Sequence, residues 1–326
     1  MLDAEFNVAD LNNGNVVNPN LIDQTNPQNT DIENELCHYK KQLKGKTVFV
    51  NCDGSEESNF RKYLMMAFDV YEFKRLIVTT FNVDGTPADK YDITDGLDGD
   101  YRKLMKVTKP VKLKGDGDFR SDECVALLKE CDVVIGNPPF SLFREYVAQI
   151  MKHKKKMIIV GNVNAVTFKE IFPLIKANKL WFGPSLSGRN PEFQVPDDYE
   201  ITTKASRVDD KGNKFVRVTG IRWFTNMKHN KRNEKLIMYK NYSAAEYPKY
   251  DNYDAINVDK VKGIPLDYTG KMGVPITFLD KFNPDQFEIL GGMMTTTINE
   301  DSFGYPYVDG TKKYARIVIR NKNPKV

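Results

Sequence analysis

Between residues 46 and 179 the chain alternates short β-branched apolar runs with segments whose apolar residues recur at helical spacing. That alternation limits the fold more than any single motif. "KTVFVNCD" (46–53), "RLIVTTF" (75–81), "CDVVIG" (131–136) and "KMIIVGNV" (156–163) read as buried strands. "SNFRKYLMMAF" (58–68), "SDECVALLKE" (121–130), "SLFREYVAQIMKH" (141–153) and "TFKEIFPLIKANK" (167–179) read as helices. Strands that are apolar throughout cannot leave one face in water, so helices must cover both faces of a parallel sheet. The predicted class is a doubly wound, Rossmann-like α/β fold.

The flanks differ from this core. Residues 1–30 are rich in Asn and Asp and lack periodicity, so they read as a disordered or loosely docked arm. A helix is expected from "DIENELCHYKKQL", with Asp31 as its N-cap. After Leu180, "LWFG", "EFQVP", "FVRVTGIRWFTN" and "KLIMYK" are short strand-like runs, expected to complete an antiparallel edge around a polar insert at about 183–215. From about 241 the sequence turns to Tyr, Asp, Pro and Gly. The expected organisation is therefore an arm (1–30), an α/β domain (31–240) and a C-terminal extension (241–326).

Composition excludes several classes. No apolar run approaches the ~20 residues that span a bilayer. No charged-then-apolar leader opens the chain. Cys37, Cys52, Cys124 and Cys131 have no CxxC spacing, which argues against zinc or a disulfide framework and for a reducing cytoplasm. All 48 Lys and Arg lie at or after Lys40, whereas seven of the 44 acidic residues precede it. The remainder thus sets 48 basic against 37 acidic side chains, a net of +11 that suits a polyanion. The basic runs 227–235 and 311–325, and tyrosines 242, 247, 250 and 253, fit such a partner but equally fit an ordinary surface.

In doubly wound sheets ligands bind beyond the carboxyl ends of the strands. Three such ends carry unusual residues: "NCDG" (51–54), "GDGDF" (115–119) and "GNPPF" (136–140). Asn137 offers a side-chain carbonyl and Pro138 a backbone carbonyl. Pro138 and Pro139 contribute no N–H and stiffen the turn, and Phe140 adds an aromatic face. Two fixed acceptors beside a ring complement a flat NH₂ group. Holding both its hydrogens out of the ring plane favours the pyramidal, nucleophilic nitrogen. The competing reading is a rigid turn in which Asn137 caps the next helix. Asp53 suits a cationic ligand group or a turn into a helix capped by Ser55 or Ser58. Asp118 with Phe119 suits an adenine amine and ring, or a plain Gly–Asp turn.

"NPPF" after a strand resembles motif IV of the amino-methyltransferases. With it, "DIENEL", "NCD…SNF.KY", "GDGDFRS", "NPPFSLFREY", "NVN..T.KE.F.LIK.NK.W", "YPKYDNYDAINV" and "MGVPITFL.KFNP.QFE" occur in the order found in EcoRI-type adenine-specific DNA methyltransferases. The resemblance runs from about Asp31 to Glu288, and more loosely to the end. It implies methyl transfer from S-adenosylmethionine to N6 of an adenine flipped out of double-stranded DNA. Asn137, Pro138, Pro139 and Phe140 would hold the target base. Asn51, Cys52, Asp53, Asp118, Phe119 and Asn137 would line the cofactor site, with no metal. The extension 241–326 would serve DNA recognition, and a cognate restriction endonuclease is an implied partner. Where family members carry a "DEFYTQ"-like segment this chain reads "IDQTNPQNT". That difference keeps a catalytically silent DNA-binding relative in view, alongside transfer to cytosine N4 or to RNA adenine.

Overall fold

A computed structural model of the chain describes residues 31–53, 58–186, 192–195, 206–210, 212–217 and 219–325, with backbone only at 53, 192–195 and 217. The arm expected over 1–30 lies outside the described residues, as does much of the insert at 183–215. The chain divides into two compact units. The first runs through Asn162 and resumes over Ser185–Met227; the second comprises Val163–Pro184 and Lys228–Val326.

The first unit opens with α1 (Asp31–Leu36), a 3₁₀ turn and α2 (Lys40–Leu43), then β1 (Thr47–Asp53) and α3 (Asn59–Met66). β2 (Arg75–Thr80), β3 (Asp89–Ile93), α4 (Tyr101–Val107) and β4 (Val111–Lys112) follow, then α5 (Asp122–Glu130), β5 (Val133–Gly136), α6 (Phe143–Lys152) and β6 (Lys156–Asn162). Ser58, Asp100 and Ser121 cap α3, α4 and α5 by accepting from the N–H groups of Arg61, Lys103 and Cys124. In the second unit, residues 163–184 give α7 (Phe172–Lys176) and β7 (Trp181–Phe182). The expected helix at 167–179 is thus only one short turn behind a 3₁₀ segment, because Pro173 can sit only in a first turn.

Back in the first unit, β8 (Glu192–Val195), β9 (Ser206–Val208) and β10 (Lys214–Arg217) form their own antiparallel sheet in the order β8-β10-β9. β11 (Ile221–Thr225) instead joins the main sheet, whose strands in this unit run β4-β3-β2-β1-β5-β6-β11. Pairing is parallel across β2-β1-β5-β6 and antiparallel at β6-β11, β2-β3 and β3-β4. The fold is the expected Rossmann-like α/β class, but antiparallel strands flank the parallel core on both sides. "DKYDI" of β3 escaped the sequence reading because it is polar. It buries only Tyr91 and Ile93 on alternate positions. The core under α1, α3 and α4 includes Leu36, Tyr39, Leu64, Tyr91, Leu104, Ile135 and Trp223. Gly161 leaves room for Phe143, since a Cβ there would stand 2.6 Å from its ring. The absent side chain fixes the start of α6 against β6.

The second unit is built on β12 (Ile256–Asn257), β13 (Lys271–Pro275), β14 (Phe287–Met293) and β17 (Arg316–Asn321), in the order β12-β13-β17-β14, with a hairpin of β15 (Tyr307–Val308) and β16 (Thr311–Lys312). "KLIMYK" (235–240), read as a strand, is extended coil whose one ladder contact is a bridge from Lys240 to Pro265. Ile237 and Tyr239 are exposed while Leu236 and Met238 are half-buried, and the Leu236 N–H and carbonyl pair with the Gln286 side chain rather than with a strand.

Candidate active site

Four parallel strands end on one edge, and the three loops singled out by sequence meet there. β1 ends in an irregularity. Against β2, Val50 faces Val78 but Asp53 faces Thr80, so β1 contains one extra residue over this stretch. Cys52 absorbs it in the left-handed region at φ +60. That conformation costs a non-glycine residue on the order of 1 kcal/mol and needs local support. Asn51 provides it: its Oδ1 accepts from the Cys52 N–H at 2.7 Å and from the Thr79 hydroxyl at 3.0 Å. Asn51 and Cys52 are buried, and Asn51 lines a small cavity with Phe49, Tyr146 and Gln149. The side chain of Asp53 lies outside the described residues.

The 115–119 loop is clamped from two sides. On the β2 side, Asn82 N–H donates to the Asp116 carbonyl and Ala88 N–H to the Gly115 carbonyl, each at 2.9 Å. On the α6 side, Gln149 donates to the Phe119 carbonyl at 2.7 Å. Gly117, at φ +84, passes so close to the Thr80 carbonyl that a Cβ would lie 1.9 Å from it. Asp118 forks onto Arg120, with Nη2 to Oδ2 at 2.6 Å and Nε to Oδ1 at 3.0 Å, and Arg120 also reaches Glu145. The guanidinium holds the Asp118 carboxyl below its ordinary range. The Phe119 ring is buried edge-on against Tyr146, with the Arg120 guanidinium over it at 5.4 Å. Phe119 thus backs the loop from beneath.

At the end of β5, Gly136 and Pro138 are buried and Asn137, Pro139 and Phe140 are half-buried. The Asn137 carboxamide oxygen is shielded from water. Asn137 caps neither following element. Pro139 occupies the cap of the 3₁₀ turn Phe140–Leu142, and Leu142 precedes α6, without a side-chain cap in either case. The capping alternative for Asn137 is therefore removed. Phe140 packs against the core beside the sheet. Sequence reasoning passed over Thr79 and Gln149, which tie the loops together. Nothing local to "IVTTF" or "YVAQI" marks them, because their partners are distant in sequence.

Among the described residues the three loops offer mainly acceptors: the carboxamide oxygens of Asn51 and Asn137, the Asp118 carboxylate and the carbonyls of a turn stiffened by two prolines. Among the described residues, no group of three or more His, Cys, Asp and Glu could hold a metal ion. No helix among them is long and apolar enough to cross a membrane. The four cysteines are free, with only Cys37 exposed. A Rossmann-like sheet with an Asn-Pro-Pro-Phe corner at a central strand end is the arrangement that the resemblance to amino-methyltransferases implies.

Comparison with known proteins narrows the class. A family model described as adenine-specific methyltransferase EcoRI matches residues 18–322, reaching further at both ends than the motifs alone suggested. The chain is 42% identical over 310 residues to the type II methyltransferase M.EcoRI of Escherichia coli, covering 92% of this chain and 93% of that one. It is 38% identical over 308 residues to a type II methyltransferase of Mycoplasma genitalium (90% and 93% covered). It is 36% identical over 307 residues to M.MpnI of Mycoplasma pneumoniae (90% and 92% covered). The chain belongs to the EcoRI family of adenine-specific methyltransferases.

Proposed function

We propose that the chain is a site-specific DNA methyltransferase that transfers a methyl group from S-adenosylmethionine to N6 of an adenine turned out of the duplex. The observation that carries this reading is the acceptor corner Asn137–Phe140. It stands at the end of β5 beside the 51–53 and 115–119 loops, in a chain of an adenine-specific family. The excess of basic side chains after Lys40 supports a DNA substrate.

The cofactor supplies an electrophilic methyl group on a sulfonium. The residues present suit it: Asp118, kept ionised by Arg120, accepts from an adenine amine, and Asn51, Cys52 and Asp53 border the adjoining loop, with Asn137 between cofactor and base. On the substrate side, the Asn137 Oδ1 and the Pro138 carbonyl accept the two N6 hydrogens, while Phe140 stacks on the purine. Both acceptors pull the hydrogens out of the ring plane, so the nitrogen lone pair turns toward the methyl group. The carbon–sulfur bond breaks as the carbon–nitrogen bond forms, and the methylated N6, now cationic and strongly acidic, releases one proton to water, so no strong base is required. Flipping the base costs a few kcal/mol of stacking and pairing, to be met by contacts in this corner and on the DNA backbone. The type II names of the relatives support pairing with a cognate restriction endonuclease and a cytoplasmic place of action.

The test is Asn137→Ala. Methyl transfer to adenine-containing duplexes should fall by about 10²-fold or more, the scale of losing one preorganised polar contact in the transition state, while DNA binding persists. Retained activity would refute the acceptor role. Calorimetry showing no S-adenosylmethionine binding by the parent chain would point instead to a silent DNA-binding relative.

A further inference from the structure

The strained end of β1 and the clamped 115–119 loop are separated by more than sixty residues of sequence, yet both rest on the last two residues of β2. Thr79 is fully buried. Its hydroxyl donates to the Asn51 carboxamide oxygen, the atom that also takes the N–H of left-handed Cys52. Thr80 is the next residue, and its carbonyl lies against Gly117. The Cys124 thiol, at the start of α5, donates back to the Gly117 carbonyl at 3.5 Å. Burial pushes that thiol above its ordinary value, opposed by the hydroxyls of Ser121 and then Thr79, which puts Thr79 beside Cys124 as well. A buried hydroxyl bonded to a carboxamide at 3.0 Å is more than packing. Replacing it by a methyl leaves a buried acceptor short of one donor.

We propose that Thr79 is a positioning residue, which through Asn51 holds the left-handed turn at Cys52 and so presets the 51–53 loop relative to the 115–119 loop for the cofactor. The proposal rests on the reading that these two loops face S-adenosylmethionine. Thr79 does not touch substrate; it acts through Asn51. Without its bond the Asn51 carboxamide keeps only the N–H and thiol of Cys52, both on the loop itself, so the turn is no longer tied to β2 and its order must be completed at each binding event.

The experiment compares Thr79→Val, which keeps shape and removes the hydroxyl, with Thr79→Ser, which keeps the hydroxyl. Calorimetry with S-adenosylmethionine and with its demethylated product should show Kd weakened about tenfold in Thr79→Val, the scale of one net hydrogen bond, and restored to within about threefold in Thr79→Ser. Steady-state assays should show KM for the cofactor raised, with kcat at saturating cofactor and KM for DNA held within about twofold. A residue that merely supports the core would lower the melting temperature without this split. Cofactor affinity unchanged in folded Thr79→Val overturns the proposal. If Thr79→Val does not fold, Thr79→Ser carries the test, and a tenfold loss of affinity in that folded variant overturns it. A parent chain that binds no S-adenosylmethionine overturns the underlying reading instead, and the two failures are told apart by that single titration.

Discussion

"GDGDF" contains two glycines that look equivalent on paper and are not in the fold. Gly117 has φ +84, and a Cβ built on it would lie 1.9 Å from the Thr80 carbonyl oxygen and 2.9 Å from Ala88. Real Cβ atoms essentially never come within 3.0 Å of such neighbours, so in Gly117→Ala the loop must retreat by about 1 Å or more. The left-handed conformation costs alanine about 1–2 kcal/mol. The retreat also breaks the backbone bonds from Asn82 to Asp116 and from Ala88 to Gly115, each worth about 1 kcal/mol net. Together these give about 3–4 kcal/mol, a large part of the ~5–15 kcal/mol that holds a domain folded. Gly115→Ala is the control. Its Cβ meets nothing within 4 Å and its φ is ordinary, so it should be neutral or gain up to about 1 kcal/mol from a stiffer unfolded chain. Thermal unfolding followed by circular dichroism should place Gly117→Ala roughly 6–16 °C below Gly115→Ala, at about 2–4 °C per kcal/mol. Calorimetry should show S-adenosylmethionine affinity lost only in the former. Equal melting temperatures for the two variants would refute the reasoning.

Gly161→Ala would drive a methyl into the Phe143 ring at 2.6 Å and the Phe224 ring at 2.9 Å. Overpacking of this kind should destabilise by about 1–3 kcal/mol in urea titrations, and a neutral result would mean that α6 shifts freely. Because Arg120 depresses the Asp118 carboxyl in the folded state, the pair stabilises the protein above the unfolded carboxylate range and that contribution fades as pH falls through the lowered value. Arg120→Met should therefore move the acid-unfolding midpoint upward, while stability at neutral pH changes by less than about 1 kcal/mol because Arg120 is half exposed. An unchanged acid midpoint would show that Asp118 is held by other groups.

The buried strands could be read from sequence because parallel central strands are apolar on both faces, and runs such as "KMIIV" have few other fates. β3 was hidden for the complementary reason: beside the parallel core it buries only Tyr91 and Ile93, and its charged residues imitate a loop. "KLIMYK" misled in the other direction, since β-propensity without a partner strand does not make a strand. The meeting of 51–53, 115–119 and 136–140 followed from topology, and Asn137 caps neither the 3₁₀ turn nor α6, which leaves a rigid turn and an acceptor corner as its two readings. What sequence did not reveal is how the loops are held. The extra residue at Cys52, the Thr79–Asn51 bond and the Gln149–Phe119 bond each join residues far apart in the chain, and no local pattern encodes them.

The chain leaves the first unit after Asn162, returns at Ser185 and departs for good after Met227. β11 pairs with β6 only on that return, and it brings Trp223, which is almost wholly buried. During synthesis the edge of β6 therefore stays open, with Ile158 and Val160 lacking their neighbours, until Thr225 has emerged from the ribosome. An unpaired apolar strand edge invites self-association. A fragment ending before Ile221 would retain all three site loops and still be an aggregation hazard. A split that keeps β11 beside β6 must therefore fall after Met227, and it leaves Val163–Pro184 on the first fragment, apart from the rest of the second unit.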